Sequence, residues 1–174
     1  MSTEESKKGE GNYPDCGLYK TTTPFPGHEE QIPAGRLVYF HNHSEQGDPI
    51  LLLPSSNTHN VWTFHRHGTL TQDRRYISSL IPLLKEGFYR LKRHLHVGEK
   101  VLPEATLIQL GYNPKGEPIL FIAKKVENSL VFPDKGVRFE NEKIFDELES
   151  AGFSIYKPKD QTPAPTTKAK PTLH

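Results

Sequence analysis

IPAGRLVYFHNHSEQGDPILLLP, residues 32–54, has a counterpart later in the chain: LPEATLIQLGYNPKGEPILFIA, residues 102–123. The two share a plan rather than an identity. Ile32-Pro33 stands with Leu102-Pro103, and Leu37-Val38 with Leu107-Ile108. Gly47-Asp48-Pro49-Ile50-Leu51 stands with Gly116-Glu117-Pro118-Ile119-Leu120. The matched residues are mostly glycine, proline and aliphatic types, which fix turns and fill cores.

The correspondence extends on both sides. Gly17-Leu18-Tyr19-Lys20 matches Gly87-Phe88-Tyr89-Arg90, and Gly27 matches Gly98 with a slip of one position. Asn60 matches Asn128, Phe64 matches Phe132, Gly68 matches Gly136, and Leu80 falls on Leu148. A unit of roughly 65–70 residues therefore occurs twice, over residues 17–86 and 87–156. A third opening, GFSIYK from Gly152 to Lys157, repeats the first notes of GLYK and GFYR. It predicts a closing strand over residues 152–156, with Phe153 and Ile155 on one face.

Within one unit, residues 37–42 mix aromatic and branched residues and predict a strand. A turn over SEQGDP leads to the short apolar run 50–53, a second strand. The second unit turns at YNPKGEP, a sharper hairpin signal. Residues 61–64 and 129–132 predict a third strand, and the turns at Gly68 and Gly136 a short fourth. The period then changes to helical: Tyr76, Ile77, Leu80, Leu83 and Leu84 fall on one stripe behind a candidate N-cap, Asp73. Pro82 limits that helix. Asn141 is the matching cap for ENEKIFDELESAG, with Gly152 as its stop. The predicted fold is α+β and predominantly antiparallel β: two tandem ββββα-like units forming small barrel or sheet modules, closed by a C-terminal strand.

The termini differ in composition. Residues 1–15 are polar, and residues 157–174 are rich in proline, lysine and threonine, so both predict disordered arms. The chain has 174 residues, a net charge of +1 and a single cysteine, Cys16. Near-neutral charge gives no global pull toward nucleic acid or an acidic membrane. One cysteine excludes an internal disulfide and a cysteine cluster for zinc or iron–sulfur. No apolar leader opens the chain and no run is long enough to cross a bilayer. The expectation is a cytoplasmic protein without membrane contact.

Chemically distinctive residues are few at the duplicated positions. An acid recurs in the turn, Asp48 and Glu117, and a tyrosine in the opening strand, Tyr19 and Tyr89; turn-making and packing account for these. No phosphate-binding glycine loop and no GxSxG elbow is present. The string HNH at 41–43 lacks the ββα setting of a nuclease, and Cys16 has no catalytic context.

The histidines stand out. Eight of the nine lie between His28 and His96, and three pairs are His-X-His: His41 with His43, His65 with His67, and His94 with His96. On a strand, positions i and i+2 share a face, so each pair presents two imidazoles together. His41, His43, His65 and His67 are thus candidate ligands for a zinc or copper ion. A simple meander separates the two pairs by a strand, and the second unit has Gly111, Asn113, Pro133 and Lys135 in their places. Lys85, Arg90, Lys92 and Arg93 gather with Phe88 and Tyr89, so the basic segment 85–100 is a candidate single-stranded nucleic-acid contact; Glu86 and Glu99 dilute it.

The function expected from these features is a non-enzymatic protein–protein interaction or adaptor module, with an unknown protein partner and no cofactor. A β-rich duplicated module of this kind acts by presenting grooves or sheet edges. Tyr39, Tyr112, Arg90 and Arg93 are its candidate partner contacts, while Trp62, which aligns with Leu130, fits core packing better. The alternatives are a zinc-binding protein or metal-dependent enzyme built on the four histidines, and a nucleic-acid binder built on residues 85–100.

Overall fold

A computed structural model describes residues 13–152. The expected tail at 157–174, most of the expected N-terminal arm, and the expected closing strand from Phe153 onward lie outside the described residues.

The first half contains strands β1 (Gly17–Lys20), β2 (Leu37–His41), β3 (Ile50–Leu52), β4 (Pro54–Thr58), β5 (Val61–Phe64) and β6 (Thr69–Leu70), helix α1 (Arg74–Ser79), and strand β7 (Ile81–Pro82). The second half contains β8 (Gly87–Leu91), β9 (Leu95–Val97), β10 (Lys100–Leu102), β11 (Leu107–Tyr112), β12 (Pro118–Ile122), β13 (Lys124–Val126), β14 (Ser129–Val131) and β15 (Val137–Arg138), then a 3-10 helix (Glu142–Glu147) and β16 (Leu148–Ser150). Two five-stranded antiparallel sheets result, in the orders β6-β3-β2-β1-β7 and β15-β12-β11-β8-β16. Across the first, Leu18 faces Tyr39 and Tyr39 faces Leu52. Across the second, Phe88 faces Gln109 and Gln109 faces Phe121. Three hairpins, β4-β5, β9-β10 and β13-β14, stand outside the sheets.

Strand alternation assigns the two faces. Val38 and Phe40 point with Tyr19 and Leu51 into one core, covered by Phe25, Ile32 and the α1 residues Tyr76 and Ile77. Leu18 and Leu37 point the other way. They join Leu91, Ile108, Leu110, Tyr112, Leu120, Ile144 and Leu148 in a second core. The first sheet therefore contributes one face to each core, and the halves share buried surface. Polar bonds reinforce the junction: Leu37 N donates to Pro114 O at 2.9 Å, and Lys20 Nζ pairs with Glu142 at 3.0 Å.

Several expectations change. Neither sheet closes into a barrel: the edge strands β6 and β7, and β15 and β16, are two or three residues long and do not pair with each other. Closure needs a continuous, staggered ladder around the ring, which such short edges do not supply. Residues 61–64 form a strand outside the main sheet, paired with the polar segment PSSNT of β4. The first helix has the expected cap, with Asp73 accepting from Arg75 N and Tyr76 N, but ends at Ser79. Pro82 then lies in β7, opposite Tyr19. The second helix is 3-10 and stops at Glu147 rather than Gly152, because Leu148–Ser150 pair with β8.

Candidate functional sites: a histidine-lined pocket and an exposed hairpin

The four candidate histidines line one open pocket of about 740 Å³, with Ile50, Leu52, Phe64 and Leu70 as its apolar wall and Arg66 and Glu45 among its charged groups. The meander expected from the sequence holds the two pairs apart. The chain departs from a meander: β5 leaves the sheet and β6 returns to pair with β3. That detour lays residues 65–68 beside the end of β2. Gly68 makes the crossing possible, since a Cβ there would sit 2.0 Å from Leu51 O.

His41 is half-buried, and His43, His65, Arg66 and His67 are exposed. The rings of His41 and His43 have centroids 5.9 Å apart, and the Tyr39 ring lies tilted, 4.7 Å from His41 and 5.4 Å from Phe64. Burial, and then the neighbouring His43, hold His41 below its usual pKa, so it favours the neutral imidazole. His43 Nδ1 lies 2.7 Å from Asn42 Oδ1, and Cys16 Sγ donates to the same oxygen at 3.3 Å. Among the described residues, no three His, Cys, Asp or Glu side chains are grouped closely enough to hold one metal ion. The four imidazoles thus share a pocket without forming a coordination set as placed.

The other candidate contacts fall in different settings. Tyr39 is half-buried beside the pocket. Tyr112 is buried in the second core, its hydroxyl donating to Leu84 O at 2.7 Å, and burial pushes its pKa well above the usual tyrosine value. Arg90 pairs with Glu149 at 3.4 Å, and Arg93 makes a two-pronged bond to Glu147. Carboxylates of β16 and the preceding 3-10 helix thus face both arginines of the basic segment.

Sequence reasoning missed a feature of the hairpins. At the tip of β4-β5, His59 and Asn60 adopt left-handed backbone, with φ of 52° and 66°, the conformation a tight hairpin turn requires. This tip docks on the second sheet. Asn60 Nδ2 donates to Gln109 Oε1 at 3.0 Å, and Gln109 Nε2 donates to His59 O at 2.7 Å. Trp62 Nε1 donates to Tyr112 O at 2.8 Å, and Trp62 N donates to both oxygens of Glu86 at 3.1 Å. Desolvation raises Glu86 to a pKa of about 7, against the lowering effect of the Trp62 N–H.

Among the described residues, nothing covers hairpin β13-β14 in a comparable way. All six of its strand residues are exposed. Val126, Leu130 and Val131 show 54 %, 61 % and 46 % of their surface to solvent. By the hairpin register Val126 and Val131 lie on one face and Leu130 on the other, with Lys125, so each face of the hairpin exposes apolar surface. The signal was present in the sequence as VENSLV, but periodicity alone reads it as a core strand.

The chain matches no protein-family model, and searches of curated proteins and of solved structures return no match. Among the described residues, no helix is long and apolar enough to cross a membrane.

Proposed function

We propose that the chain is a non-enzymatic protein–protein interaction module built from two tandem copies of one unit, spanning residues 17–86 and 87–156. The duplication is supported by the equal strand orders of the two sheets and by their equivalent cross-strand registers. The interaction reading rests on one observation: hairpin β13-β14 presents Val126, Leu130 and Val131 to solvent. Exposed apolar hairpins of this kind are recognition surfaces, because covering them removes apolar area from water. Capture of binding proteins from the native cell tests it, with the full chain and a Val126→Ser, Leu130→Ser, Val131→Ser variant side by side. Proteins held by the first and lost by the second are the expected result. Identical captured sets overturn the reading.

The histidine pocket favours a second reading, in which His41, His43, His65 and His67 bind a zinc ion after side-chain rearrangement. Equilibrium dialysis against zinc tests it. Stoichiometric binding that His41→Ala and His65→Ala each abolish supports it, and binding unchanged by either substitution removes it.

A further inference from the structure

A second, smaller cleft of about 160 Å³ lies where hairpins β9-β10 and β13-β14 meet the second sheet. Leu120 and Ile122 of β12, Val97 and Leu102 of β9-β10, and Val137 of β15 line it. Leu102 and Ile122 pack against the second core, so the cleft opens above buried apolar surface. Three cations line the same cleft: Lys100 of β10, Lys124 of β13, and Lys135 from the segment between β14 and β15. Among the described residues, no acidic side chain lines it, and none of the three lysines has an ion-pair partner. Arg90, Arg93 and Arg138 of the same half are each matched to a glutamate. Glu99 and Asp134 adjoin Lys100 and Lys135 in sequence but stand outside the lining.

Strand register accounts for the lining. Lys100 stands opposite Val97, and Leu102 opposite Leu95, on one face of β9-β10. Lys124 stands opposite Val131, and Val126 opposite Ser129, on one face of β13-β14. The wall that carries Lys124 therefore also carries the exposed Val126 and Val131. Leu130 and Lys125 belong to the other face and take no part in the cleft. Size limits what can enter. An apolar cavity of about 150 Å³ holds one benzene ring. This cleft takes one leucine- or phenylalanine-sized side chain and is too small for an acyl chain or a nucleotide. Its apolar lining is aliphatic, with no aromatic ring or guanidinium on which a nucleobase could stack.

We infer that this cleft receives an acidic segment of a protein partner. One leucine- or phenylalanine-sized side chain enters among Val97, Leu102, Ile122 and Val137. Carboxylates beside it in the partner's sequence meet Lys100, Lys124 and Lys135, and further apolar surface rests on Val126 and Val131. The inference deepens the interaction reading and rests on it. That reading leaves the partner's chemistry open, and the charge of the cleft supplies it: three uncompensated cations around an apolar hollow are complementary to carboxylates flanking an apolar anchor. The anchor contributes by leaving water, while the lysines select the sign of its neighbours and hasten encounter.

Fluorescence anisotropy of the full chain with labelled, end-capped peptides Asp-Glu-X-Glu-Asp tests this, with X as Leu, Phe or Gly. The Leu or the Phe peptide should bind about tenfold or more tightly than the Gly peptide, and its binding should weaken as salt rises. Lys100→Gln, Lys124→Gln and Lys135→Gln, combined in one variant, should weaken that binding about tenfold. All three lysines are exposed, and circular dichroism verifies that the variant folds. No saturable binding of the Leu and Phe peptides, equal binding of the Gly peptide, or binding unchanged in the glutamine variant overturns the inference. An oligothymidylate of equal charge that binds more tightly than the peptides also overturns it, in favour of nucleic acid. If the peptides fail while the Val126→Ser, Leu130→Ser, Val131→Ser variant still loses captured proteins, the acidic-segment inference falls and the interaction reading stands. A captured set unchanged by that serine variant takes both down.

Discussion

The side-chain amide of Asn60 donates to the side-chain carbonyl of Gln109 at 3.0 Å. These residues are 49 positions apart in sequence and belong to different halves of the chain. The bond joins the tip of a hairpin to the middle strand of the opposite sheet. Gln109 is buried, so breaking the pair leaves a desolvated amide without its partner, which costs more than the bond itself contributes.

Gly111 provides the space for that contact. A methyl there would lie 3.1 Å from Asn60 Cβ and from Asn60 O. One of these is backbone, held by the turn, and moves only with the whole tip. Gly111→Ala should therefore destabilise the fold by about 1–3 kcal/mol. Urea unfolding measures this, and an unchanged midpoint would show that the hairpin is not seated on β11.

Glu86 links pH to stability at the same junction. Its folded pKa is raised to about 7 from an ordinary 4.5, so the fold disfavours the ionised carboxylate. Stability from this residue is fully present below the ordinary value and is lost as pH rises through 7. A neutral glutamine keeps a carbonyl oxygen for Trp62 N. Glu86→Gln should be near neutral at pH 4 and stabilising by about 1–2 kcal/mol at pH 8, after allowance for solvent screening of a half-buried group. Thermal unfolding of both proteins at the two pH values measures the difference, and an effect of opposite pH dependence would contradict this origin.

Asp73 begins helix α1, accepting from Arg75 N at 2.9 Å and Tyr76 N at 3.1 Å. Asp73→Ala removes the acceptor for both and should cost about 1 kcal/mol. Asp73→Ser should recover most of that loss, as read from denaturant midpoints.

Elements with an apolar pattern were legible in the sequence. Residues 37–42 and 50–53 read as strands because Val38, Phe40 and Leu51 must be buried, and all three are. Asp73 and Asn141 read as caps because a short acceptor before an apolar stripe has few other uses. Strand β4 was not legible: PSSNT is mostly exposed, and its pairing with β5 is a tertiary choice. The second helix was overextended because Leu148 continues the helical stripe of Ile144 and Phe145, yet pairs opposite Leu91 in β16. Of the candidate sites, the spacing of His41 with His43 and His65 with His67 showed that each pair shares a face. Their meeting at one pocket depends on β6 returning to β3 past Gly68, a long-range event that local spacing does not encode. Tyr112 resembled a contact residue by type, but its strand is central and covered on both faces.

The most direct measurement is site-specific photo-crosslinking in the native cell. A photoreactive amino acid replaces Leu130 in one version of the chain and Glu149, an exposed residue of β16, in another. The expected result is a discrete protein adduct from position 130 that position 149 does not give. No adduct at position 130, or the same adducts from both positions, would contradict hairpin β13-β14 as the interaction surface.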